Sequence, residues 1–217
     1  MFENIKPMDI EKRSFAIITE LLGDTQLDPE NELVIKRVIH TTADFDYVEN
    51  LVFSPHAVGK GIAALREGCD IVTDTQMAKA GINKTILGRL GGEVHCFMSD
   101  PDVAAEAKER GVTRAIVSME RAAQLSKPCV FAIGNAPTAL ISLHELMEAG
   151  KLDPALIIGV PVGFVNVVES KELFLDSPVP HIIARGRKGG SNVAAAICNA
   201  LLYSAAEMLD PAARGWR

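Results

Sequence analysis

Six short apolar runs are spaced along the chain, at Leu51–Phe53, Asp70–Thr73, 94–98, Cys129–Ile133, 156–160 and His181–Ala184. They are rich in Ile and Val and hardly broken by polar residues. A strand with one wet face alternates apolar and polar side chains. A strand covered on both faces does not, so these runs predict a mostly parallel sheet between two helix layers. The intervening segments carry helix signals. Asp28-Pro29 and Ser54-Pro55 each put a capping residue before a proline suited to the first helical position. Ala136-Pro137 opens a helix that stops at Gly150, and Ser191 opens one that reaches about residue 208. Two leading helices, over 9–22 and 29–41, precede the first run. The alternation predicts an α/β fold, a single domain over 1–217 with a doubly wound sheet and helices on both faces. Its ordered core is expected over 9–208, with a frayed tail over 210–217.

Open sheets of this kind bind ligands beyond the carboxyl ends of their strands. Those ends are Thr73-Asp74, Ser99-Asp100, Gly134-Asn135, Pro161-Val162-Gly163 and Arg185-Gly186-Arg187. Polar and glycine-rich residues are thus expected to gather along one edge.

Composition narrows the function. The net charge of −6 argues against a nucleic-acid partner, which needs a basic face to displace phosphate counterions. No run of about 20 apolar residues is present, so no membrane span is expected. The first eleven residues lack the apolar centre of a signal peptide, and a cytoplasmic protein is expected. Cys69, Cys96, Cys129 and Cys198 form no Cys-x-x-Cys pair and read as buried, reduced thiols. His56, His95, His144 and His181 show no metal-ligand spacing, so no metal site is expected.

Several features could carry chemistry. Arg37 and His40 lie one turn apart on a single helical face, where the arginine would anchor a carboxylate and repel a proton from the imidazole. From the spacing alone a surface pair near a helix end is the commoner reading. Ser14 sits in the stripe Ile10, Ser14, Ile17, Leu21, either bonded back to its own helix or turned to a ligand. The segment Arg185-Gly186-Arg187-Lys188-Gly189-Gly190-Ser191-Asn192 sets three cations and three glycines between a strand and a helix. Backbone amides and a helix N-terminus there would hold a phosphate or carboxylate. It matches neither a Walker A loop nor Gly-x-Gly-x-x-Gly. Asn135 could cap the helix after Gly134. Gly159-Val160-Pro161-Val162-Gly163-Phe164 could wall a large flat apolar ligand.

Several blocks taken together resemble one family. They are Val38-Ile39-His40-Thr41-Thr42-Ala43-Asp44-Phe45-Asp46, Asp74-Thr75-Gln76-Met77 with Ala80-Gly81-Ile82, and Ile133-Gly134-Asn135-Ala136-Pro137-Thr138-Ala139-Leu140. Gly159-Val160-Pro161-Val162-Gly163-Phe164-Val165, Glu169-Ser170-Lys171-Glu172 and Gly186-Arg187-Lys188-Gly189-Gly190-Ser191-Asn192-Val193-Ala194-Ala195-Ala196 complete the set. In this order they are similar to the precorrin-8X methylmutases, the precorrin isomerases of cobalamin biosynthesis, from about residue 14 to residue 203. The resemblance implies a cofactor-independent isomerase that moves a methyl group on ring C of a tetrapyrrole, precorrin-8 or its cobalt form, to give the corrin chromophore. It implies His40 as proton donor to the macrocycle. Ser14 and Arg37 match substrate-contacting positions, and Arg114 resembles an arginine reaching the substrate from the partner of a homodimer. Asp74, Asn135, Arg187, Lys188 and Ser191 are the further candidates for binding a large apolar ring fringed with carboxylates. A carrier that holds the corrin without turning it over would need the same walls and cations but no proton donor.

Overall fold

The computed structural model describes Lys6, residues 9–210 and Arg214. Strands β1 (Leu51–Phe53), β2 (Asp70–Thr73), β3 (Val94–His95), β4 (Cys129–Ile133), β5 (Leu156–Gly159) and β6 (His181–Ala184) form one sheet in the order β1-β6-β5-β4-β2-β3. Neighbours run parallel except β1, which lies antiparallel to β6 with Leu51 opposite Ala184. Both faces are covered. In β4, Val130 and Ala132 enter one core cluster, while Cys129, Phe131 and Ile133 enter the other. Both faces therefore favour apolar side chains, with Asp70, Thr73 and His181 the buried polar residues at strand ends, which is why the runs read as nearly continuous.

The helices are α1 (Ile10–Leu22), α2 (Glu32–Thr42), α3 (Tyr47–Asn50), α4 (Ala57–Arg66), α5 (Gln76–Gly81), α6 (Lys84–Arg89), α7 (Pro101–Arg110), α8 (Arg114–Ala122), α9 (Pro137–Glu148), α10 (Val167–Glu172) and α11 (Ser191–Ala205). The long helix α11 packs on α2, α4 and α5 over one face. Helices α8 and α9 cover the other, with α10 beside α9. Small residues on α11 permit close approach. A Cβ added at Gly81 would lie 2.9 Å from the Ala195 Cβ.

Local chemistry departs from expectation at several ends. Strand β3 stops at His95, and the next carbonyl, that of Cys96, accepts the Gln76 side-chain amide at 3.3 Å. Ser54-Pro55 does not open α4. The Ser54 hydroxyl accepts the His181 N–H at 2.9 Å, tying β1 to β6, and left-handed His56 (φ 60°) precedes the helix. The Asp28 carboxylate forms a turn with Glu30 and Asn31, so α2 begins only at Glu32. On α1 the stripe Ile10, Ile17, Leu21 faces outward, and Ile18 is the side chain that buries. The Arg214 side chain is buried against Glu11 and the Met208 carbonyl, and the rest of residues 211–217 lies outside the described residues.

Candidate active site

The loops beyond the strand ends do converge. Asp74, just past β2, is buried, and its carboxylate accepts the N–H groups of Gly134, Asn135 and Ala136 at 2.8, 2.8 and 2.6 Å. Burial outweighs these donors and pushes its carboxyl above the usual range. Asp74 thus shapes the entry to α9, with both carboxylate oxygens engaged by backbone amides. The same bonds displace Asn135 as a cap. Ala136 precedes α9 with no side-chain cap, and the Asn135 side chain is left exposed. The hydroxyls of Thr75 and Ser191 meet at 2.7 Å, so Ser191 is tied to the β2 loop. Gly134 lies against Gly190 and Ser191, where any Cβ would fall 2.7 Å from the Ser191 Cα. The Gly190 N–H donates to Val160 O at 2.9 Å, and the Gly163 N–H to Arg187 O at 3.2 Å.

Within the basic loop the three cations part ways. Lys188 donates to Asp44 and Asp46 at 2.7 and 2.6 Å, so its charge is matched by two carboxylates of this chain. Lys188 holds Asp44 well below the usual carboxylate range and latches the loop to the end of α2. Arg185 lies 3.9 Å from Glu172. Arg187 stays at the surface, with its Nη1 on Phe164 O at 2.9 Å and its guanidinium 5.4 Å from the Phe164 ring. Phe164 itself is 82% exposed. Beneath the loop lies a residue that the sequence singled out only within a motif. The Lys171 ammonium donates to Gly186 O and Lys188 O, both at 2.8 Å.

Arg37 and His40 line a groove of about 320 Å³ between α2 and α11, with Thr41, Gly81, Asn192 and Tyr203 among its walls. The spacing on α2 does bring the pair to one side. The His40 ring stacks on Phe15 of α1, with centroids 5.5 Å apart. Its Nδ1 is buried with no hydrogen-bond partner. Burial first, and the Arg37 charge second, hold the imidazole below its ordinary value, while Glu11 opposes them. Arg37 is 7% exposed and sits between the Phe15 and Tyr203 rings, 4.8 and 5.4 Å from their centroids. Its Nη2 donates to Glu11 at 2.9 Å, and its Nε is buried without a partner. Glu11 is bound on its other side by Arg214, whose guanidinium lies 3.7 Å from the Tyr203 ring. Burial alone would raise the Glu11 carboxyl, but the two guanidiniums bring it below its usual range. Nothing in the sequence pattern marks Glu11 or Arg214, because their partners are 26 and 203 residues away. Ser14 is half-buried next to Phe15. Arg114 lies apart from this groove, exposed at the start of α8, with Nη1 on Met98 O at 3.2 Å.

Among the described residues no cluster of three or more His, Cys, Asp or Glu could hold a metal ion, and no helix is long and apolar enough to cross a membrane. Fold and site define a class, a doubly wound α/β protein whose ligand edge combines aliphatic walls, glycine turns, arginines and one titratable imidazole. A family model for precorrin-8X methylmutases matches residues 9–204. The cobalt-precorrin-8 methylmutase of Salmonella typhimurium is 48% identical over 206 residues, covering 91% of this chain and 95% of its own. The precorrin-8X methylmutase of Pseudomonas aeruginosa is 43% identical over 194 residues, with coverages of 88% and 93%. The crystal structure of the precorrin-8X methylmutase of Thermus thermophilus superimposes with a TM-score of 0.84 at 38% identity, over 92% of this chain and 98% of that one. The chain belongs to the precorrin-8X methylmutase family, isomerases of cobalamin biosynthesis.

Proposed function

We propose that this chain moves a methyl group on ring C of precorrin-8 or cobalt-precorrin-8 and that His40 supplies the proton. One observation carries this reading. His40 and Asn192, in the first turn of α11, line the same groove, so the imidazole opens beside the residue that follows the basic loop. The shift is intramolecular and asks for no nucleophile. It asks for a macrocycle held in its reactive shape and for a proton delivered to the conjugated system. Arg37, whose Nε has no partner, and Arg187, exposed at the surface, are two of the cations assigned to substrate carboxylates in this reading. Ser14, Asn135 and Ser191 are the polar side chains assigned to the substrate's edge in this reading. Cobalt, where present, belongs to the substrate, and relatives with both kinds of name are similar to this chain. A homodimer in which Arg114 reaches the partner's groove, and a cytoplasmic location, complete the reading.

In the test, metal-free and cobalt-loaded precorrin-8 are assayed anaerobically side by side and followed by absorbance. His40→Ala is expected to keep the fold and the binding of corrin product while turnover falls about 10²–10⁴-fold, the usual weight of a positioned acid. Unchanged turnover would remove His40 from the mechanism. Product binding with no turnover in the unsubstituted protein would favour the carrier.

A further inference from the structure

Lys171 is the buried charge that the proposed chemistry does not use. Its side chain is 0% exposed, and among the described residues it has no carboxylate partner. Burying an ammonium without a counter-charge is costly, and burial draws its pKa down to about 8. A methionine would fill the same space without that cost. What the ammonium does is grip two carbonyls, those of Gly186 and Lys188, in the turn after β6. The peptides here are trans. In a trans peptide the N–H of the next residue points opposite to the carbonyl. With the Gly186 and Lys188 carbonyls drawn inward, the N–H groups of Arg187 and Gly189 are turned outward. No hydrogen bond from either amide is formed among the described residues. Gly186 at φ 73° and Gly189 at φ 158° make this alternation accessible to the backbone.

We infer that Lys171 is a positioning residue. From below, it sorts the peptides of the turn so that two free amides and the Arg187 guanidinium face outward together, a set of donors for one carboxylate at the substrate's rim. The inference rests on the methylmutase reading and adds to it which atoms hold the acid side chain and which residue holds those atoms.

The test compares Lys171→Met, Lys171→Gln, Arg187→Ala and the double variant Lys171→Met/Arg187→Ala. A rise in KM and in the Kd of the corrin product of about tenfold, with kcat nearly unchanged, is expected for Lys171→Met, the usual scale for hydrogen bonds to a charged group. Lys171→Gln, which keeps donors, is expected to recover part of that loss. The double variant is expected to bind about as well as Arg187→Ala alone, because both act on one carboxylate. Folding is checked by circular dichroism and melting. Should Lys171→Met not fold, a nuclear magnetic resonance titration of the unsubstituted protein with hydrogenobyrinic acid decides, and the Arg187 and Gly189 amide protons are expected to move downfield. Unchanged KM in folded Lys171→Met, additive losses in the double variant, or still amides while Asn192 shifts would each overturn the inference. A loss confined to Arg187→Ala sinks the inference and leaves the function standing. Absence of turnover on either precorrin sinks the function instead, and the amide shifts are then read with tricarballylate as the carboxylate probe.

Discussion

In its proposed role His40 must hold a proton before it gives one, and its surroundings work against that in the free protein. Burial and the Arg37 charge depress the imidazole below its ordinary value of 6.5. The acid form is scarce at neutral pH and correspondingly strong. In the proposed complex a substrate carboxylate at Arg37 would cancel part of the repulsion, so that binding itself would raise the fraction of imidazolium. With His40 acting as an acid, kcat/KM is expected to fall as pH rises through this lowered pKa. Arg37→Met removes the like charge and is expected to move that limb to higher pH, whereas Glu11→Gln removes the supporting carboxylate and is expected to move it lower. Profiles of kcat/KM against pH decide, and a limb that neither substitution moves would mean that another group sets it. The same depression has a sign for stability. The unfolded ring takes up a proton more readily than the native one, so His40 makes the fold less stable as pH falls through the unfolded value. The buried thiols of Cys69, Cys129 and Cys198 are pushed up to about 12 by burial. A thiolate is the reactive form, so all three are expected to resist iodoacetamide at pH 8 until the chain unfolds, as mass spectrometry would show.

Among the elements, the strands were legible because burial on both faces leaves a one-dimensional trace. Cys129–Ile133 is apolar at every position, and no tertiary knowledge is needed to see it. The antiparallel pairing of β1 left no such trace, since three residues cannot show which way their neighbour runs. The site divides along the same line. Arg37 and His40 were legible as a pair because one helix carries both. The work of Asp74 was not, since its three donors lie about 60 residues further on, and the same holds for Lys188, whose acids lie on the far side of the fold's connectivity. What joins these elements is close backbone contact. A Cβ at Gly134 would sit 2.7 and 2.8 Å from the Ser191 Cα and N, neither of which can rotate away. Gly134→Ala is expected to cost about 1–3 kcal/mol, the range for forced overpacking, read as a lower urea midpoint. An unchanged midpoint would show that the α9 and α11 entries are less tightly joined than this geometry requires.

For the whole molecule the question is whether one chain makes a complete site. The groove at His40 contains no part of α8, and Arg114 sits at the start of that helix with its side chain exposed. The protomer also leaves apolar side chains uncovered, with Leu21 of α1 65% and Val165 78% exposed. In a two-fold dimer each groove would take His40 from one chain and Arg114 from the other. That arrangement has an arithmetic signature. His40→Ala and Arg114→Ala homodimers each have two defective grooves. A heterodimer of the two has one groove with both defects and one with neither. Random reassortment of equal amounts makes half of the dimers mixed, so about a quarter of the unsubstituted turnover is expected to return on mixing. If both residues served the same groove from one chain, every groove would keep one defect and nothing would return. Unfolding and refolding the mixture together before the assay ensures exchange, and sedimentation of each variant alone confirms that the defect is in the groove and not in the assembly.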